Sequence, residues 1–226
     1  MPAHLTLQVA PRAPAALLRQ LEQRFLRLAQ TLPLPTMAQR VLWQDLQRAY
    51  EQPHRPYHNL VHLSNMLVLL DQQGDAVADP TAFEWAVWYH DLVYDVARAD
   101  NEAQSAQRMT ECLQGHLPQV QLQRIQGHIL ATAGHKIRTN DPDEPLFLDV
   151  DLSILAAAPT VEQQYRIAIA QEYGTLYPPA IYQIGRQKVL ANFLQRDQLF
   201  LTSGFRAPYE ATARANLKHE LHSLQP

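Results

Sequence analysis

The chain has 226 residues, 46% of them hydrophobic and 18% charged, with a formal net charge of −3. That length suffices for one domain with a substantial core, the balance excludes a disordered chain, and the slight acidity offers no basic surface to a nucleic acid polymer. The single cysteine, Cys112, excludes an intrachain disulfide and fits a reducing compartment.

Prolines and glycines punctuate the sequence. Pro14, Pro35, Pro56, Pro80, Pro118, Pro159, Pro178 and Pro208 stand where helices would begin, and Gly74, Gly115 and Gly174 where others would stop. Between them apolar residues recur at three- and four-residue intervals, as in Leu60, Leu63, Leu67 and Leu70. The pattern predicts helices over 14–31, 36–51, 56–73, 80–95, 100–114, 118–134, 159–173, 178–195 and 208–223, with a short helix or turn near 146–157. No segment alternates long enough for a strand, so the expected fold is all-α, one domain over 1–226 with about eight or nine helices. The core would span about 56–157, flanked by helices in 14–51 and 159–223. Lys136 to Pro145 reads as an exposed loop that could overhang a pocket. Met1 to Pro14 lacks the basic start and apolar run of an export signal, and no stretch is long enough to cross a bilayer, so a cytoplasmic protein is expected.

Three short stretches carry potential ligands. On a helix, His58 and His62 share a face one turn apart. His90 and Asp91 end an apolar run, separated by about 100° on the helical wheel, close enough to address one ion. Asp91 follows Trp85, Val87, Trp88 and Tyr89, so it must be partly desolvated and needs a cation, an arginine or amide donors. Asp149 and Asp151 interrupt the apolar Leu146–Leu152; on a helix they diverge by about 200°, so one of them at most is a full ligand. His62, His90, Asp91 and one of these acids form a nitrogen and oxygen set that suits a hard or borderline divalent metal. His128 and His135, seven residues apart, would share a face of the 118–134 helix. Asp95 would lie one turn beyond Asp91, and Asp100 would cap the next helix with Glu102 in its first turn. An anionic ligand would also need cations, for which Arg166 and Arg186 are the favoured candidates.

The order His62, His90-Asp91, Asp151 resembles the HD superfamily of metal-dependent phosphohydrolases, especially its small stand-alone bacterial members. The likeness extends to Tyr57-His58-Asn59, Asp100-Asn101-Glu102 and Leu148-Asp149-Val150-Asp151-Leu152, and runs roughly from Trp43 to Leu221. It implies a helical HD-type bundle and one divalent ion (Mn, Mg, Zn, Co, Ni or Fe) on His62, His90, Asp91 and Asp151. A second ion would use His128 and His135. It further implies His58 as proton donor to the leaving oxygen, Asp95 or Glu102 orienting the attacking water, and Asp149 orienting a ligating histidine, with Asp149 as the ligand still an alternative. The expected partner is a small phosphorylated molecule, nucleotide-like or otherwise. A di-iron oxygenase and a non-catalytic nucleotide-binding module remain alternatives.

Overall fold

A computed structural model of the chain describes residues 4–224; positions 1–3 and 225–226 of the expected domain lie outside the described residues. The architecture is all-helical and bundle-like. Its ten α-helices among the described residues are α1 (Ala15–Ala29), α2 (Thr36–Tyr50), α3 (Leu60–Gln73), α4 (Pro80–Tyr89), α5 (Asn101–Leu113), α6 (Gln119–Thr132), α7 (Glu144–Asp151), α8 (Pro159–Gly174), α9 (Pro179–Leu194) and α10 (Ser203–Ser223). A 3₁₀ turn, Leu152–Ala156, extends α7. None of these helices is long and apolar enough to cross a membrane.

Helix α4 is the hub. Of its residues from Ala82 to Tyr89 all but Glu84 are buried, so it is apolar on every side and belongs in the interior. Its tryptophans meet α1 and α2 edge-on: Phe25 lies 5.6 Å from Trp85 and 5.4 Å from Trp88, near perpendicular, and Trp43 packs on Trp88 in the same way at 6.1 Å. Such pairs contribute about 0.5–1.5 kcal/mol beyond their burial. The central position of α4 carries its C-terminus, and hence His90 and Asp91, into the middle of the molecule.

Four expected helix ends move, each for a local reason. The 56–73 helix begins at Leu60 because Asn59, not Pro56, is its cap. The 80–95 helix stops at Tyr89, and Asp95 falls in an exposed loop. The 118–134 helix stops at Thr132, since Gly134 and His135 take left-handed conformations at φ +81° and +50°. The last helix starts at Ser203 rather than 208, with Pro208 inside it. The Asp149 carboxylate sets that start by accepting the Leu201 and Thr202 amides at 2.6 and 2.7 Å and the Thr202 hydroxyl at 2.6 Å.

Asp149→Ala leaves both amides without their acceptor and should destabilise the fold by about 2–4 kcal/mol. Urea unfolding would show a lower midpoint at an unchanged slope; a loss below about 0.5 kcal/mol would mean that α10 docks without this carboxylate.

Candidate metal centre

Three helices deliver four side chains to one point. His62 lies in the first turn of α3, where Asn59 Oδ1 accepts the Val61 amide at 2.8 Å and Asn59 Nδ2 donates to the carbonyls of Ala10, Arg55 and Pro56. His90 caps α4 and Asp91 follows. The chain turns away there because buried Arg55 donates to the Asp91 and Leu92 carbonyls at 2.7 and 3.0 Å, while the Tyr50 hydroxyl accepts the Asp91 amide at 3.3 Å. Asp151 is the last residue of α7.

His62 Nε2 lies 3.2 Å from His90 Nε2, 3.3 Å from Asp151 Oδ1 and 3.9 Å from Asp91 Oδ2. His90 Nε2 lies 3.0 Å from Asp91 Oδ2 and 3.7 Å from Asp151 Oδ1. Donors bound about 2.1–2.3 Å from one centre stand roughly 3–4.5 Å apart, so the set fits a divalent cation. His62, His90 and Asp151 offer donor atoms within 4.8 Å of one another, a three-donor group that could hold a metal ion. One ring nitrogen is already committed: His90 Nδ1 is 2.9 Å from the Val87 carbonyl, which can only accept, so Nδ1 holds a proton and Nε2 is the nitrogen that faces the cluster and would bind a cation in exchange for its own proton.

Electrostatics in the cluster are governed by burial against mutual charge. Burial opposes an imidazolium at His90, yet Asp91 and then Asp151 outweigh it and push the group up to about 9. At His62 burial prevails over the bond and charge of Asp151, and the pKa falls. Asp91 and Asp151 are both held below the ordinary carboxylate range: burial works against this, but His90 and His58 at Asp91, and His135, His62 and His90 at Asp151, overcome it.

His58 stands in the turn ahead of α3, not on the helix, so helical spacing does not align it with His62; the two ring centroids are nevertheless 6.0 Å apart. A residue without a role in the sequence reading positions it. Fully buried Glu172, on α8, sits 2.7 Å from His58 Nδ1 and also accepts the Tyr57 and His58 amides and the Tyr94 hydroxyl. Tyr94 stacks on the His58 ring at 4.2 Å. Burial lowers the His58 pKa, but the charge and hydrogen bond of Glu172 more than offset it, and the net direction is up.

The cluster opens into a cavity of about 460 Å³ whose wall includes His58, Asp91, Glu102, His135 and Asp151, with Arg98, Arg186 and Arg196 around them. Glu102 therefore faces the site. Asp95 does not: its carboxylate accepts the Ala97 amide and it borders a separate depression, because α4 ended before reaching it. Loop 136–145 contributes nothing to this wall; its Thr139 amide and hydroxyl bind Glu144 instead.

His128 and His135 do not share a face, because the left-handed turn at Gly134 and His135 separates them. His135 Nε2 donates to Asp151 Oδ2 at 2.9 Å, leaving Oδ1 toward the histidines, whereas His128 is stacked on Phe147 with Nε2 3.4 Å from Asp141. Asp149 grips the α10 loop rather than a histidine. Arg166 binds Ser223 at 2.7 Å, away from the cavity; Arg186 is on its wall but paired with Glu220 at 2.7 and 2.9 Å. Arg196 donates to the carbonyls of Gly134 and His135 and so holds the turn that aims His135 at Asp151.

No family model matches the chain, and no characterised protein or solved structure does either. The site is thus read from its own geometry.

Proposed function

We propose that the chain is a metal-dependent phosphohydrolase of the HD type, acting on a small phosphorylated molecule. The observation that carries this reading is the approach of Asp91 Oδ2 and Asp151 Oδ1 to within 3.0–3.9 Å of the paired His62 and His90 Nε2 atoms, the two carboxylates lying on the wall of a cavity large enough for a small ligand.

A divalent ion held by these four side chains would supply Lewis acidity to a phosphoryl oxygen and to the attacking water. The chain's own residues do the rest. His58, raised in pKa and fixed through Nδ1 by Glu172, keeps a proton on its outer nitrogen for the departing oxygen. Glu102, on the cavity wall, is the carboxylate in place to orient water. His135 holds Asp151 in a single rotamer through Oδ2. Arg98, half-exposed at the cavity and paired only with surface Asp100, is the cation most free to meet a phosphate. The di-iron oxygenase alternative draws no support from His128, whose ring is stacked on Phe147 with Nε2 3.4 Å from Asp141 Oδ1.

The test is a screen of phosphorylated metabolites with manganese, cobalt, nickel, magnesium and iron(II) added in turn. Metal-dependent release of phosphate or a phosphorylated product from at least one compound is expected. Retention of metal with no hydrolysis across nucleotides, sugar phosphates and aryl phosphates would favour a binding module instead.

A further inference from the structure

A second cavity, of about 400 Å³, lies between α8 and α9 and shares His58 with the first. None of the four ligating residues lines it, and the two cavities adjoin along a shared wall of His58, Tyr165, Tyr173, Arg186 and Val189. Its wall is made by Tyr173, Tyr177, Tyr182, Ile169 and Ile181, with no aspartate or glutamate. Its cations are already paired: Arg186 is held by both oxygens of Glu220 and laid over the Tyr165 ring, and His58 is held at Nδ1 by Glu172.

An anionic occupant would find no free positive charge there, and a polyol would leave most of its hydroxyls against aliphatic and ring carbon. An uncharged planar ring matches the wall: Tyr173 lies 6.3 Å from Tyr177 and 6.1 Å from Tyr182, offering ring faces and edges together. The state of α9 points the same way. Of its sixteen residues only Leu190 is buried, and Ile181 and Val189, both on the cavity wall, remain 54% and 42% exposed. These apolar side chains gain cover only if something apolar enters.

We propose that the tyrosine cavity receives the leaving group of the substrate and selects an uncharged alcohol bearing an aromatic ring. The proposal rests on the hydrolase reading, in which His58 protonates the departing oxygen; His58 lines both cavities, so a group departing from it has the tyrosine cavity directly beside it. Water adds to phosphorus, the bond from phosphorus to the alcohol oxygen breaks, and the alcohol leaves with the His58 proton. One proton of the water stays on the phosphate, and the other returns to His58. A leaving group that is itself a phosphate or pyrophosphate is disfavoured by the lack of free cations.

The experiment compares benzyl phosphate with ethyl phosphate, whose leaving alcohols differ little in acidity, under manganese in steady state. Benzyl phosphate should show kcat/KM roughly 10- to 100-fold higher. Ile181→Asp, at an exposed position where folding is spared, should cut that ratio by about tenfold through KM for the benzyl ester. Equal kcat/KM for the two esters, or a ratio untouched by the variant, would overturn the assignment while leaving the hydrolase reading intact. Binding of benzyl alcohol, followed by saturation-transfer NMR, separates the two ideas further. If neither ester is cleaved but the alcohol binds wild type and not Ile181→Asp, the aromatic site stands and the hydrolase reading falls; if the alcohol does not bind, the aromatic site falls.

Discussion

Asp91→Ala is expected to weaken metal retention and to lower metal-dependent turnover, with a loss in kcat on the order of 10³-fold or more. Asp91 Oδ2 stands 3.0 Å from His90 Nε2 and 3.9 Å from His62 Nε2, so its removal opens one side of the donor set and leaves two imidazoles and one carboxylate. The fold should survive. The turn that holds residue 91 is made through its backbone, by Arg55 on its carbonyl and Tyr50 on its amide, and neither contact needs the side chain. Circular dichroism and the urea midpoint should therefore stay near wild type while bound metal, counted by mass spectrometry after dialysis, falls below the wild-type level. Activity that persists after complete metal loss would rule the mechanism out.

Glu172→Gln should lower kcat by about 10²-fold at neutral pH, leave KM for a phosphate ester little changed, and move the alkaline limb of the pH profile to lower pH. The sign follows from His58. Burial alone would depress its pKa; the Glu172 charge and hydrogen bond reverse this, so the imidazolium that donates the proton persists to higher pH and is lost as pH rises through the raised value. The uncharged amide can still accept the Tyr57 and His58 amides through its oxygen, but it leaves burial to dominate, and His58 becomes neutral where catalysis needs it charged. The same pairing also stabilises the fold: relative to an unfolded histidine near 6.5, the contribution of His58 is fully present below that pH and disappears through the raised folded pKa. A variant with an unshifted alkaline limb would show that the proton donor is another group.

The central features of the fold were legible because they depend on local patterning. The run from Phe83 to Tyr89 is apolar on all faces, which makes α4 interior wherever the chain places it, and the prolines at 80 and 159 occupy first-turn positions that suit a fixed φ and a missing amide. The α4 aromatic residues Phe83, Trp85, Trp88 and Tyr89 are all buried to within 1%. The end of α4 was not legible. Apolar periodicity continues through Tyr94, but contacts with Arg55, Tyr50, His54, Asn101 and Ser105, remote in sequence or supplied by the next helix, hold the chain off the helix after Tyr89. That displacement is what removes Asp95 from the site.

Glu172 escaped notice for the same reason. It lies 114 residues from His58, and no spacing rule links them. A faint signal did exist: Tyr165, Ala168, Ile169 and Glu172 form the buried stripe of α8, so a carboxylate occupies a core position and requires donors. His128 and His135 failed in the opposite sense, since a seven-residue interval predicts a shared face only while the helix lasts, and the left-handed pair after Thr132 ends it. Asp149 is a buried acid whose donors come from residues 201 and 202, a partner that sequence proximity could not suggest.

The most direct measurement is anomalous X-ray scattering from crystals grown with manganese or cobalt, recorded on either side of the absorption edge. The four-donor arrangement predicts one strong peak about 2.0–2.4 Å from His62 Nε2, His90 Nε2, Asp91 Oδ2 and Asp151 Oδ1. A peak bound elsewhere, or none at saturating metal with these side chains in place, would contradict it.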